Sequence, residues 1–101
     1  MTLTSTRTDP DKLKRVARTM KTISHPNRLR IIELLLEHKK LSVKEIYERI
    51  DISQSNASQH LKALEDVNVL GSIRDGKNIF YYVANPNIEA LLQCVNDCVY
   101  C

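Results

Sequence analysis

The chain has 101 residues, of which 43% are hydrophobic and 27% charged, and this composition predicts one small globular domain. A formal net charge of +3 excludes a strongly basic protein that wraps nucleic acid, but it is compatible with a local basic patch. Neither a membrane-spanning apolar run nor an apolar leader is present, so we expect a cytoplasmic protein without a membrane partner.

The first predicted helix follows a polar, Thr-rich segment, residues 1–8, which we expect to be a flexible tail to a domain of residues 9–101. Asp9 and Pro10 are typical of an N-cap and a first helical position. An apolar stripe at helical spacing must pack on the body of the protein or on a partner chain. The stripe comprises Leu13, Val16, Ala17, Met20 and Ile23.

A second helix is predicted to begin at Pro26, with Ser24 or His25 as its N-cap, and to end near His38. Residues 29–36 make this helix apolar on most of its surface, so we expect it at the centre of the core.

The next two helices are predicted to lie close together in the chain. Ser42-Val43-Lys44-Glu45 is a capping box, which places a third helix from about Val43 to Ile50. After a short link, Ser53 is the predicted N-cap of a fourth helix. Its apolar positions are Ala57, Leu61, Leu64 and Val67. Two helices joined this tightly predict a helix-turn-helix.

The polar face of the fourth helix is uncharged over its first two turns, where an ordinary solvated face would carry pairs of Glu and Lys. Short amides and hydroxyls suit phosphates and the base edges of a major groove. A well-capped polar surface helix is the alternative, and the helix-turn-helix context favours DNA reading. The face comprises Gln54, Ser55, Asn56, Ser58, Gln59 and His60.

A β-hairpin is predicted after Gly71, because residues 72–74 and 79–83 are β-prone and flank a turn sequence. A hairpin directly after a helix-turn-helix is a wing. Arg74 and Lys77 near its tip are placed to reach backbone phosphates, or are solvated charges. A last helix, capped by Asn85, is predicted from about Asn87 to the end.

All three cysteines, Cys94, Cys98 and Cys101, lie in this last helix, and their offsets put them on one face. Three cysteines cannot all be paired within one chain, so they do not form the disulfide framework of a secreted protein. Three thiolates suit As(III) or another soft ion, if the last turn unwinds. A reversible disulfide or persulfide, or simple packing at a dimer interface, are the alternatives.

The sequence resembles the ArsR-type winged helix-turn-helix repressors. The resemblance rests on residues 23–32 (ISHPNRLRII) and 53–64 (SQSNASQHLKAL), and continues through 69–71, 74–77 and 81–82. It implies a mainly α fold with a β-hairpin between the fourth and fifth helices. It also implies a homodimer through the first and last helices, and repression of a promoter that an inducer relieves.

The resemblance further implies which residues contact double-stranded operator DNA. Amide side chains would read adenine edges, and lysines would neutralise phosphates. The implied set is Gln54, Ser55, Asn56, Ser58, Gln59, Lys62, Arg74 and Lys77. For His25 and Arg28 we expect a structural role, and His60 is open between packing and DNA contact.

Two metal sites common in such repressors are not intact here. Residues 41–45 (LSVKE) lack the thiols that one site needs, and the last helix has no histidine for the other. A regulator without a small ligand and a winged-helix module for protein interaction are therefore further alternatives. We do not expect an enzyme, because no nucleophile–base constellation or Gly-rich phosphate loop is present.

Overall fold

The computed structural model describes residues 9–100, and of residues 99 and 100 the backbone only. The predicted tail, residues 1–8, and Cys101 lie outside the described residues. The described part contains five helices and three strands. In chain order these are α1 (Pro10–Ile23), α2 (Pro26–His38), β1 (Lys40–Ser42), α3 (Val43–Ile50), α4 (Gln54–Asp66), β2 (Leu70–Asp75), β3 (Asn78–Val83) and α5 (Ile88–Tyr100). The expected mainly α fold with a hairpin between α4 and α5 is confirmed.

Side-chain caps define where the first two helices begin. The Asp9 carboxylate accepts the backbone N–H of Lys12 at 2.9 Å, and Pro10 occupies the first position of α1. Of the two candidate caps for α2, His25 is the one used, since its Nδ1 accepts the N–H of Asn27 at 3.2 Å. Because Nδ1 is the acceptor, neutral His25 carries its proton on Nε2.

The predicted capping box of α3 is present. Ser42 Oγ accepts the N–H of Glu45 at 3.2 Å, and the Glu45 carboxylate accepts the N–H of Ser42 at 2.9 Å. The hydrogen bond from the Ser42 backbone holds the pKa of Glu45 below its usual value, because it stabilises the charged carboxylate. The helix ends where Asp51 adopts a left-handed backbone, with φ 64°.

The sheet contains a strand that the sequence did not predict. The strand order is β1-β3-β2, all antiparallel, with Leu41 opposite Tyr81 and Leu70 opposite Val83. β1 has three residues, too few to display the alternation of polar and apolar side chains that predicts a strand. It joins the connection between α2 and α3 to the base of the wing.

The predicted turn of the wing is confirmed. Asp75 lies opposite Asn78, and Gly76 and Lys77 form the loop between the two strands. Gly76 has φ 65°, a left-handed conformation that glycine adopts without steric cost.

The core lies where α2, α3, α4 and the base of the sheet meet. The buried apolar side chains are Ile23, Ile31, Ile32, Leu35, Leu41, Ile46, Ile50, Ala57, Leu61, Leu64, Val69, Leu70 and Ile88. Of the side chains described in α1 and α5, only Ile23 and Ile88 belong to this set. The terminal helices therefore join the core at one end and leave most of their length outside it.

The remaining apolar stripes of α1 and α5 are exposed within the chain. Leu13, Val16 and Met20 of α1 are 55%, 55% and 53% exposed, and Leu91 and Val95 of α5 are 37% and 49% exposed. Of the helices in the described part, none is long and apolar enough to cross a membrane.

Candidate nucleic-acid interface

The N-terminus of α4 is built by a short turn and a serine cap. Three residues, 51–53, separate the end of α3 from the start of α4. The N–H of Ile52 donates to Tyr47 O at 3.2 Å, which closes the chain against α3. Ser53 Oγ then accepts the N–H of Asn56 at 3.0 Å. This geometry is a helix-turn-helix, as the sequence predicts.

The core determines which face of α4 points outward. Ala57, Leu61 and Leu64 have no solvent exposure and form one side of the helix. At 100° per residue, Ser55, Gln59 and Lys62 lie in a line on the opposite side. The exposed residues of the predicted DNA set on this helix are Gln54, Ser55, Asn56, Ser58, Gln59 and Lys62. The structure thus brings all six onto one solvent-facing, hydrogen-bonding surface.

The one charge in that surface is loosely held. Lys62 Nζ lies 3.9 Å from the Asp66 carboxylate, and the two side chains are 78% and 51% exposed. A pair this open to solvent contributes little to stability, so the Lys62 ammonium is only weakly bound to Asp66.

The wing is anchored to the last turn of α4. Ser72 Oγ donates to the Glu65 carboxylate at 2.8 Å, and the N–H of Val69 donates to Leu64 O at 3.0 Å. Arg74 and Lys77 are both exposed near the tip. The structure therefore places the two predicted wing cations on an arm whose base is attached to the polar helix.

A glycine in β2 leaves room for an aromatic ring of β3. A Cβ on Gly71 would lie 2.6 Å from the ring of Tyr82, so the tyrosine crosses β2 where a side chain is absent.

Tyr81, the neighbour of Tyr82 on β3, is partly buried. This burial and, to a smaller extent, the nearby Glu65 charge raise the pKa of Tyr81 above its usual value.

Three side chains that the sequence did not predict to be in contact, His25, Arg28 and His60, meet behind the polar face of α4. Arg28 Nε donates to His60 Nδ1 at 3.1 Å, and Arg28 Nη1 donates to Thr22 O at 2.9 Å. The rings of His25 and His60 have centroids 4.6 Å apart, at an interplanar angle of 53°. His60 is thus packed against α2, and His25 and Arg28 have structural contacts. No local pattern reveals this cluster, since His60 is 32 residues from Arg28.

The surroundings of His60 favour the neutral form of its ring. Burial lowers the pKa of His60 below its usual value, and the positive charges of His25 and Arg28 lower it further. A neutral ring can accept the hydrogen bond from Arg28, whereas a protonated ring has no free lone pair.

The described cysteines of α5 form no disulfide with each other and are exposed. Cys94 and Cys98 lie one helical turn apart, and with Ala90, Gln93 and Asp97 they line a shallow depression. Within the residues the structure describes, no group of three or more His, Cys, Asp or Glu is arranged to hold a metal ion. Two of the predicted sulfur ligands are therefore adjacent, and the third, Cys101, is outside the described residues.

Comparison with known proteins identifies the family. A family model described as a helix-turn-helix domain matches residues 23–71, from the end of α1 into β2. The transcriptional repressor PagR of Bacillus anthracis is 38% identical over 80 residues, which cover 79% of this chain and 80% of PagR. The crystal structure of PagR has a TM-score of 0.76 over 86% of this chain and 99% of that one, at 34% identity.

A solved domain carries the family name. The homodimeric winged helix-turn-helix DNA-binding domain Mb0332 from Mycobacterium bovis, described as a possible ArsR-family regulator, is 28% identical. The structural match covers 90% of this chain and 89% of Mb0332, with a TM-score of 0.78. This chain belongs to the ArsR-type winged helix-turn-helix transcriptional regulators. The ArsR-type resemblance expected from the sequence is thereby confirmed, and the chain is a DNA-binding transcriptional regulator.

A metal-resistance regulator is also similar to this ArsR-type chain. The cadmium resistance transcriptional regulatory protein CadC of Listeria innocua is 36% identical over 73 residues, which cover 72% of this chain and 61% of CadC.

The cap of the DNA-facing helix generates a stability prediction. Ser53→Ala removes the oxygen that accepts the N–H of Asn56, and it should lower the free energy of unfolding by about 1 kcal/mol. Ser53→Asn keeps a capping acceptor and should stay within about 0.5 kcal/mol of the unchanged protein. Urea denaturation followed by circular dichroism measures both. Equal stability of the two variants would contradict a capping role.

Proposed function

We propose that this chain is a sequence-specific, DNA-binding transcriptional repressor that acts as a homodimer. The observation that carries the proposal is the uncharged, exposed, hydrogen-bonding face of α4. Buried Ala57, Leu61 and Leu64 hold this face outward. A rigid helix with short amides and hydroxyls near its N-terminus matches the width and chemistry of a major groove.

In this proposal the amides of α4 provide the sequence specificity. Gln54, Asn56 and Gln59 can each donate to and accept from one adenine edge, whereas an ammonium can only donate. Ser55 and Ser58 supply shorter contacts to phosphate or base.

Cations on that face and on the wing beside it then provide affinity without sequence specificity. Lys62 on α4, with Arg74 and Lys77 on the wing, would neutralise phosphates on either side of the groove. The hydrogen bond between Ser72 and Glu65 supports this division, because it couples the wing to α4 as one docking surface.

A second copy of the chain would cover the terminal helices. Outside the wing, the large hydrophobic side chains that the described part of the chain leaves exposed are Leu13, Val16 and Met20 on α1 and Leu91 and Val95 on α5. A two-fold dimer buries the same stripes on both copies. It would also place the two α4 helices in successive major grooves, about 34 Å apart.

Three further parts of the proposal follow from this role. Residues 9–101 work as one domain, and residues 1–8 act as a tail to it. The protein acts in the cytoplasm, where it binds its operator. It is not an enzyme, because its family consists of DNA-binding transcriptional regulators.

DNA binding is tested by charge and amide variants. Lys77→Ala should weaken binding to every duplex similarly, and it should reduce the slope of log affinity against log salt by about 1. Gln59→Ala should instead cost about 1–3 kcal/mol on the selected operator and relax its sequence preference. Fluorescence anisotropy with a duplex selected from a random library measures both.

Lys12→Ala is the matched control for charge. It removes the same charge from α1, about 15 Å along the helix from the end that contacts α4. An equal loss of salt dependence in Lys12→Ala and Lys77→Ala would contradict a specific role for the wing.

The dimer is tested by placing a charge in each apolar stripe. Val16→Asp and Val95→Asp should each shift the protein from dimer to monomer, since an unpaired carboxylate would be buried at the interface. Analytical ultracentrifugation measures the shift. Ile73→Asp is the control, because Ile73 is similarly exposed, at 49%, but lies in the wing. Dimers that persist in both stripe variants would contradict this interface.

The cysteines favour a second element of the function, which is relief of repression by a soft ion or by thiol oxidation. On α5 the strip of Cys94 and Cys98 borders the exposed stripe of Leu91 and Val95, since the offsets turn by 100° per residue. Thiolates are the donors that As(III), Cd(II) and Zn(II) share, and the related CadC is named for cadmium resistance. When bound, such an ion would draw the thiols of α5 together beside the dimer stripe.

One titration separates these possibilities. Operator binding by the reduced protein is measured alone and then with As(III), Cd(II), Zn(II) or a disulfide-forming oxidant. At least one addition should weaken binding in the wild type, and replacing Cys94, Cys98 and Cys101 with Ser should abolish that response. A response that survives the triple replacement would contradict sensing by the cysteines. No response in the wild type would favour the regulator without a small ligand.

A further inference from the structure

The contact between α2 and α4 includes a hydrogen bond from a charged side chain, which apolar packing of the two helices does not require. The Arg28 guanidinium joins two partners, the Thr22 carbonyl at the end of α1 at 2.9 Å and the His60 ring of α4 at 3.1 Å. His60 directly follows Gln59, which lies on the exposed face, and precedes Leu61, which has no exposure. One side chain therefore links the helix with the exposed dimer stripe to the middle of the DNA-facing helix.

We propose that Arg28 and His60 are positioning residues for α4, and that protonation of His60 releases this helix and weakens DNA binding. The inference rests on the DNA-binding function proposed above.

The hydrogen bond depends on the proton state of the ring. Arg28 Nε can only donate, so His60 Nδ1 must have a free lone pair. Protonation places an N–H on Nδ1, and a donor then faces a donor. It also places an imidazolium beside a guanidinium, and the two positive charges repel. The link to α2 is therefore broken by a single proton.

The surroundings of His60 define the pH range of this effect. Its neighbours are His25, the cap of α2, whose ring centroid is 4.6 Å away, and Arg28 of α2. From α1, the group held by Arg28 is the neutral Thr22 carbonyl. Burial, His25 and Arg28 lower the pKa of His60 below the ordinary 6.5. The stabilisation by the neutral ring is thus fully present above pH 6.5 and is lost as the pH falls through the lowered pKa.

The effect on DNA follows from the position of the contact. Buried Ala57, Leu61 and Leu64 fix which side of α4 faces the core, and the hydrogen bond from Arg28 to His60 adds a directional contact in the middle of the helix. Amide contacts to base edges require aligned geometry, so a loosened helix loses specific contacts before it loses the fold.

The experiment measures DNA affinity from pH 7.5 to 5.5 at constant ionic strength. The probe is a duplex selected by the protein from a random library at pH 7.5. Wild-type affinity should fall by about tenfold across this range, a typical size for coupling between two sites. His60→Asn places an amide oxygen near the position of Nδ1 and does not titrate there. Its affinity should change by less than about twofold over the same range.

A matched histidine variant controls for general effects of pH. His38 lies at the other end of α2, beside Glu37 and Arg49, and is one of three histidines in the chain. His38→Asn should follow the wild-type profile. A second measurement uses Arg28→Gln, which keeps a donor but removes the charge, and which should move the titration of the His60 ring in NMR to higher pH.

Several results would overturn the inference. They are a flat wild-type profile, tighter binding at acid pH, a His60→Asn profile that matches the wild type, or an Arg28→Gln titration that does not move upward. Tighter binding at acid pH would mean that the ring contacts phosphate. If the folded protein selects no duplex at pH 7.5, the proposed DNA-binding function has failed. The NMR titration then decides the Arg28–His60 link by itself.

Discussion

The burial of one side of α4 is the constraint on which the rest of the structure depends. Ala57, Leu61 and Leu64 have no exposure, and burying each leucine stabilises the fold by about 1.5–3 kcal/mol. Rotating α4 by one residue would bring Ser58 into the core, where an unpaired hydroxyl costs about 1–3 kcal/mol. The core thus selects one orientation of the helix, and the polar face opposite is presented to solvent as a direct consequence.

The core sets the rotation of α4 about its axis, and hydrogen bonds at three points along α4 hold it in place. Ser53 closes the first turn, Arg28 holds the middle at His60, and Ser72 holds the last turn at Glu65. Each of these three contacts comes from a different neighbour of α4: Ser53 from the linker, Arg28 from α2 and Ser72 from the wing. A movement of any of these neighbours would consequently be felt at the face that we propose to read DNA.

Local chemistry explains which parts of this arrangement could be predicted from sequence. The caps at Asp9, Ser42 and Ser53 are decided within three residues, so the helix starts and the outward face of α4 were predictable. β1 was not, because its three residues form a strand only through pairing with β3. The Arg28–His60 contact was not predictable either, since it joins residues 32 apart whose types also suit an exposed surface.

The terminal helices show how the same physics extends beyond one chain. α1 and α5 bury Ile23 and Ile88 where they leave the core, and then carry exposed apolar stripes that the described chain does not cover. Leaving such stripes in water is unfavourable, and a two-fold partner offers an identical pair of stripes to cover them. The dimer and the DNA-facing helix are then not independent. Arg28 is hydrogen-bonded to the last turn of α1 and to α4, so a change in the packing of α1 reaches His60 through a single side chain. A signal at Cys94 and Cys98 would enter the same assembly from α5, because their strip borders the stripe that a partner would bury.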